Sequence, residues 1–323
     1  MNLKHLKLFF YALALVLSLT ACGGGDDDGD GGVAGGDDTS SQVDKSNLNA
    51  NVNVGSINSN NSQVAALIRR LEFPKVEAGE RIIVNKTTGD AQWNPTGINY
   101  CVRWDDQLKS QRYSCYQMCE SMKKQNTTRY YNKDDQYPYD TRIPETFQFS
   151  YDPFWGSGYD HGHICPSADR LYSYEANKQT FYLSNMMPQV NGFNAKVWAN
   201  MEQKVRDWSK KSSCDTLYVC KGGTIEPTAD CMDAVMLTRA GGWIIPKYYF
   251  MAMLKKKGDS YGALGFFIEH KALDTDVLVP YVVNIDELEK KTGLDFFCNL
   301  PDEIEDRIEA LPVENIIRAW GVK

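Results

Sequence analysis

The 323-residue sequence predicts an α+β domain on a central antiparallel sheet flanked by helices, behind an export signal and an unstructured leash. Three observations predict it. Short runs rich in β-branched and aromatic residues succeed one another with few helical stretches between them, the order of α+β proteins rather than of doubly wound ones. From Val64 onward about 260 residues carry no repeat and no second linker, a length that one mixed domain can fill. Before Val64 a mixture of Gly, Asp, Asn and Ser offers nothing that could bury a core.

At the N-terminus, Lys4 and Lys7 precede an apolar run from Leu8 to Leu19, shorter than the roughly 20 residues a spanning helix needs. The run ends in Leu19-Thr20-Ala21-Cys22, which resembles a bacterial lipobox. Residues 1–21 are therefore expected to be a lipoprotein signal peptide, with Cys22 acylated after cleavage, and several acyl chains anchor stably where one does not. This places the protein, lipid-anchored, in the cell envelope of a Gram-negative bacterium, at the outer membrane or cell surface. Residues 22–63 read as a solvated leash, and residues 64–323 as the folded domain.

Within that domain, Val64–Leu71 opens with helical apolar spacing. Arg81–Asn85 and Asn99–Trp104 read as strands, and Phe193–Ser209 as a helix. Thr216–Cys220, Trp243–Ala252, Gly262–Glu269 and Asp276–Val283 follow as strands rich in Val, Ile, Tyr and Phe. Ile285–Thr292 and Pro301–Ala310 close the domain as helices.

Charge and cysteines bound the chemistry. The formal charge is -7, but seven of the 42 acids and three of the 35 bases lie before residue 46. That leaves 35 acids against 32 bases, so bulk charge gives no basic footprint of the kind nucleic-acid binders show. Eight cysteines follow Cys22. Their spacing lacks the paired CxxC of a zinc site, and an even count in an exported chain points to disulfides.

Only four histidines occur, His5, His161, His163 and His270, and two of them crowd into Asp160-His161-Gly162-His163. Histidine is the side chain best suited to moving protons near neutral pH. Downstream, Asn194, Trp198, Glu202 and Arg206 recur every four residues along the expected helix. Asn194 and Glu202 share a face about 12 Å apart along an α-helical axis. An amide oxygen suits Mg²⁺, which takes few protein ligands and keeps several waters; Glu202 could hold one of those waters. A nearby histidine could then deprotonate water, with Arg206 neutralising a phosphate. Taken singly, Asn194 reads as a helix-start residue and Glu202–Arg206 as a surface ion pair; Trp198 reads as core either way.

These blocks together resemble the sugar-non-specific DNA/RNA endonucleases, a ββα-metal (His-Me finger) family. Its pattern runs Asp-Arg-Gly-His, then Pro-Ala/Ser-x-Asp, Ser-Asn-x-x-Pro-Gln and Asn-x-x-x-Trp-x-x-x-Glu. Here Asp160-His161-Gly162-His163 is followed by Pro166-Ser167-Ala168-Asp169, Ser184-Asn185-Met186-Met187-Pro188-Gln189, and Asn194, Trp198 and Glu202. The resemblance is tight over 160–206 and looser from about 95 to 300, where Thr292-Gly293-Leu294-Asp295-Phe296-Phe297 also fits. It implies a ββα-metal fold and Mg²⁺-dependent hydrolysis of DNA and RNA, with Mn²⁺ as a substitute. By position it implies His163 as general base, Asn194 as the metal ligand and Glu202 orienting a water on the ion. It implies that Arg206 and Arg129 meet phosphate, and that Asp160 and Asn185 support the histidine segment. A homodimer is compatible with it, and no other protein partner is implied.

In one place the sequence departs from the pattern: His161 stands where the family has arginine. A histidine lacks the guanidinium fork and is neutral over much of the physiological range. The rival expectation is accordingly an inactive surface lipoprotein that binds nucleic acid or another ligand.

Overall fold

The computed structural model describes residues 51–53, 62–225, 235–237 and 243–323. The expected signal, Cys22 and Cys231 lie outside them. Every described residue belongs to one compact unit, Asp44–Lys323.

In chain order the strands are β1 (Arg81–Lys86), β2 (Ile98–Asp105), β3 (Ser110–Met118), β4 (Asp160–His163), β5 (Met186–Gln189), β6 (Thr216–Gly223), β7 (Val235–Leu237), β8 (Trp243–Ile245), β9 (Tyr248–Lys257), β10 (Ser260–Glu269) and β11 (Val282–Val283). The helices are α1 (Ser62–Leu67), α2 (Tyr174–Gln179), α3 (Ala199–Ser209), α4 (Ile285–Thr292), α5 (Asp302–Glu309) and α6 (Val313–Trp320). Seven strands make one antiparallel sheet in the order β1-β2-β3-β6-β9-β10-β11. This is the α+β architecture expected, with the site segments β4, β5 and α3 following in ββα order.

The sheet is buried on both faces. On one, Tyr100, Val102, Tyr116, Val219 and Met253 pack against Phe193, Trp198, Met201 and Val205. On the other, Tyr113, Phe250 and Leu254 pack against Leu67, Leu288 and Ile308. Alternate strand residues point to opposite faces, so these strands have no solvent-facing side, and even polar residues of β3 such as Gln111 and Ser114 are buried.

Cys101 faces Cys115 across β2 and β3, and Cys115 faces Cys220 across β3 and β6. The seven described cysteines are all free and buried, so the disulfides expected from an even count do not form among them. In these apolar layers the thiols serve as small hydrophobes.

Some element boundaries differ from the sequence expectation for identifiable reasons. Pro246 splits Trp243–Ala252 into β8 and β9, since proline has no N–H for a ladder. Asp276–Val283 is not a strand: a short 3₁₀ turn covers Val279–Tyr281, and only β11 pairs with β10. The expected helix over Phe193–Ser209 begins as a wide π-helical turn, Phe193–Trp198, before α3. Asp160–His163 and Met186–Gln189, to which the sequence assigns no element, are short paired strands. Asn51–Asn53, which composition puts in the leash, is docked on the domain. The buried Asn53 amide donates to the Ile68 carbonyl at 2.8 Å and the Pro74 carbonyl at 3.1 Å.

Candidate active site

The strands β4 and β5 pair antiparallel, with Gly162 opposite Met187 and His163 opposite Met186. A Cβ on Gly162 would fall 2.4 Å from the Gln189 side chain, so glycine alone lets the two histidines flank this position. Asn185 locks the chain beyond β4. This fully buried amide accepts from the Cys165 N–H at 2.9 Å and the Ser114 hydroxyl at 3.0 Å. It donates to the carbonyls of Cys165 and Thr180 at 2.9 and 2.8 Å. The Tyr249 hydroxyl donates to the Pro188 carbonyl at 2.6 Å and ties β5 to the main sheet.

Helix α3 and the π turn lie across this pair, where the Trp198 indole donates to the His163 carbonyl at 3.4 Å. An open cleft of about 510 Å³ results, lined among others by Arg129, Asp160, His163, Asn194, Glu202 and Arg206. The residues singled out from sequence as base, metal ligand, water holder and phosphate contacts thus share one opening.

His163 packs edge-on against Phe181, with ring centroids 4.8 Å apart. Its Nε2 is buried and has no hydrogen-bond partner. Burial, with Arg129 second, pushes its pKa down to about 3 against the opposing hydrogen bond to the His161 backbone. The imidazole is therefore neutral, and the ring lines the cleft with Nε2 unpartnered.

Asn194 does not act as an N-cap: that position is Gly192. Its Nδ2 donates to Asp160 Oδ2 at 3.0 Å, and Asn191 donates to the same oxygen at 2.9 Å. An ionised carboxylate only accepts, so the amide must present its NH₂ to Asp160 and turn Oδ1 away.

Glu202 and Arg206 are not paired with each other. Glu202 Oε1 accepts from Lys221 Nζ at 2.9 Å, and Lys221 is fully buried, 5.0 Å from the Trp198 ring. Burial raises the Glu202 pKa while Lys221 opposes the rise. Arg206 binds the buried Asp169 at 2.9 Å and also donates to Gln203; Asp169 in turn accepts from the Tyr116 hydroxyl at 2.7 Å. Arg129 is exposed, its guanidinium 4.7 Å from the Phe181 ring centroid. Of the two arginines it is the freer to meet an anion.

His161 is sandwiched. Its ring stacks on Tyr137 at 3.7 Å and on Phe154 at 4.4 Å, and Nε2 lies 2.9 Å from Asp152 Oδ2. Lys221 and Asp152 were not singled out from sequence. A lysine inside the apolar run Leu217–Gly223 was the available signal for the first; nothing local marked the second.

A family model described as DNA/RNA non-specific endonuclease matches residues 79–303. Nuclease C1 of Cunninghamella echinulata var. echinulata is 36% identical over 167 residues, covering 50% of this chain and 66% of its own length. Mitochondrial endonuclease G of Homo sapiens is 30% identical over 152 residues, 45% of this chain and 50% of its own. The chain thus spans half to two thirds of the length of these relatives. Among solved structures, a chain of the EndoG/EndoGI complex superposes with a TM-score of 0.56 at 23% identity, covering 64% of this chain and 85% of that one. That likeness concerns the fold.

Proposed function

The chain belongs to the DNA/RNA non-specific endonuclease family, and from that premise we propose that it is a Mg²⁺-dependent endonuclease, lipid-anchored through Cys22 in the cell envelope, cutting phosphodiester bonds of DNA and RNA. The observation that carries the catalytic reading is the gathering of His163, Asn194, Glu202, Arg129 and Arg206 in one cleft.

The donor set fits a hard cation. Asp160 holds the Asn194 amide by its NH₂, which leaves Oδ1 available, and Glu202 keeps one oxygen after pairing with Lys221. Mg²⁺, or Mn²⁺, held by Asn194 with Glu202 beyond it would offset charge building on the phosphate and the leaving oxygen.

The remaining work falls to the chain. His163 is neutral with Nε2 free of partners, the state in which it can take a proton from an attacking water. Arg129, exposed beside it, supplies positive charge to the phosphate. Arg206 does so only while sharing its guanidinium with Asp169. His161, held by Tyr137, Phe154 and Asp152, forms a wall of the cleft rather than a flexible cation. Backbone-directed contacts of this kind carry no sequence preference.

Cleavage of supercoiled plasmid by residues 44–323, with and without Mg²⁺ and beside His163→Ala, tests this reading. Metal-dependent nicking that the substitution lowers at least about a hundredfold supports it. No cleavage by folded wild-type protein with Mg²⁺ or Mn²⁺ between about pH 6 and 9, with DNA still bound, would establish the inactive binder instead.

A further inference from the structure

On the face of the sheet opposite the cleft, three carboxylates converge. Asp286 and Glu289 stand one turn apart on α4, and Glu309 ends α5; oxygens of the three lie within 4.8 Å of one another. Glu309 is only 5% exposed, and its Oε1 is buried with no hydrogen-bond partner. Glu289 spends one oxygen on the Phe296 N–H at 2.7 Å.

The surroundings do not relieve this concentration of charge. Asp295 and Glu305 face the same region and raise the pKa of Glu309 further. Lys75 faces Asp295, but its ammonium donates to the carbonyls of Asn51 and Val52. Burial first, then like charges, push Glu309 up to about 10 and Glu289 up to about 8. Carboxylates this close and this buried need either protons or a cation among them.

We propose that Asp286, Glu289 and Glu309 form a Ca²⁺ site that fastens α4 to α5, separate from the catalytic cleft. All three donors are hard oxygens. Calcium accepts several carboxylates in a flexible shell, whereas Mg²⁺ demands near-octahedral geometry and keeps its waters. The orphaned Glu309 oxygen gains the partner that its burial denies it, and the cation draws together two helices that otherwise repel through these side chains.

Thermal unfolding of the full chain in EDTA and in rising Ca²⁺ tests the site, using wild type, Glu309→Gln and Asn194→Ala. Wild type and Asn194→Ala should each gain about 5 °C once Ca²⁺ exceeds its dissociation constant a hundredfold or so. Glu309→Gln keeps the shape of the protonated side chain but cannot ionise, so in EDTA it should melt at or above wild type and gain nothing from Ca²⁺. Asp286→Asn should behave likewise, which guards against one variant misfolding. An equal gain in Glu309→Gln, or none in wild type, overturns the proposal. So does wild-type stability that rises on acidification but ignores Ca²⁺, which would mean that protons hold the cluster. Mg²⁺ matching Ca²⁺ in the Asn194→Ala background overturns the calcium assignment. None of these readouts depends on nuclease activity.

Discussion

His163 and Glu202 are shifted in opposite directions by the same cause, since burial disfavours whichever form is charged. For His163 the folded pKa, about 3, lies below the ordinary value near 6.5. The folded protein therefore binds fewer protons than the unfolded chain, and stability declines as pH falls below about 6.5. Catalysis behaves differently. Because kcat/KM reports the free enzyme, its pH profile should show no acid limb near 6.5 from His163; such a limb in wild type, absent from a His163 variant retaining measurable activity, would contradict a neutral buried base. Glu202 depends on Lys221 for its charge. Lys221→Met should raise the Glu202 pKa further, move the acid limb of activity upward in pH, and cost about 3–5 kcal/mol in urea unfolding through the unpaired carboxylate. Adding Glu202→Gln should recover stability without recovering activity. That His163, Asn194 and Glu202 share one cleft was legible because residue type and spacing single them out together. Lys221 comes from a distant strand and is brought under α3 only by the sheet, so its role could not be read locally.

Among elements, legibility followed how completely each is specified by neighbours in sequence. Helix α4 could be bounded to the residue because Asn284 caps it, accepting from the Glu287 N–H at 2.9 Å, and Gly293 ends it at φ 68°. The four-residue strands β4 and β5 could not, since Asp-His-Gly-His has no strand periodicity and gains its form by pairing. Strand β3 was overlooked because Ser110–Met118 carries polar residues among its buried ones. Helix α6 was missed although Val313, Ile316, Ile317 and Trp320 stand at helical spacing. The segment Tyr151–Gly158 makes a functional prediction of its own. Phe154 anchors it on His161, which lines the cleft, while the adjacent Trp155 is 84% exposed. An exposed indole in a segment packed on His161 suits stacking of an unpaired base. Trp155→Ala should raise KM for single-stranded substrates about five- to a hundredfold while changing duplex cleavage less; equal effects on both would refute a stacking role.

Across the whole molecule, the sheet keeps two ionic centres apart: the cleft on one face and the α4–α5 carboxylates on the other. Their pH responses differ in sign. Glu289 and Glu309 titrate above the ordinary carboxylate range, so the folded state holds extra protons. In EDTA their contribution to stability is present at low pH and is lost as pH rises through about 8 and then about 10. Wild-type melting temperature measured in EDTA should therefore fall between about pH 7 and 10, more steeply than in Glu309→Gln; parallel curves would count against coupling within the cluster.

The file of Cys101, Cys115 and Cys220 across β2, β3 and β6 has a practical corollary. Desolvation keeps these three thiols protonated, and an alkylating reagent attacks only the thiolate. Their modification must wait for the middle of the sheet to open, so the labelling rate under native conditions measures that opening equilibrium. The protein carries its own gauge of internal breathing, readable without denaturant at the strands that support the catalytic cleft.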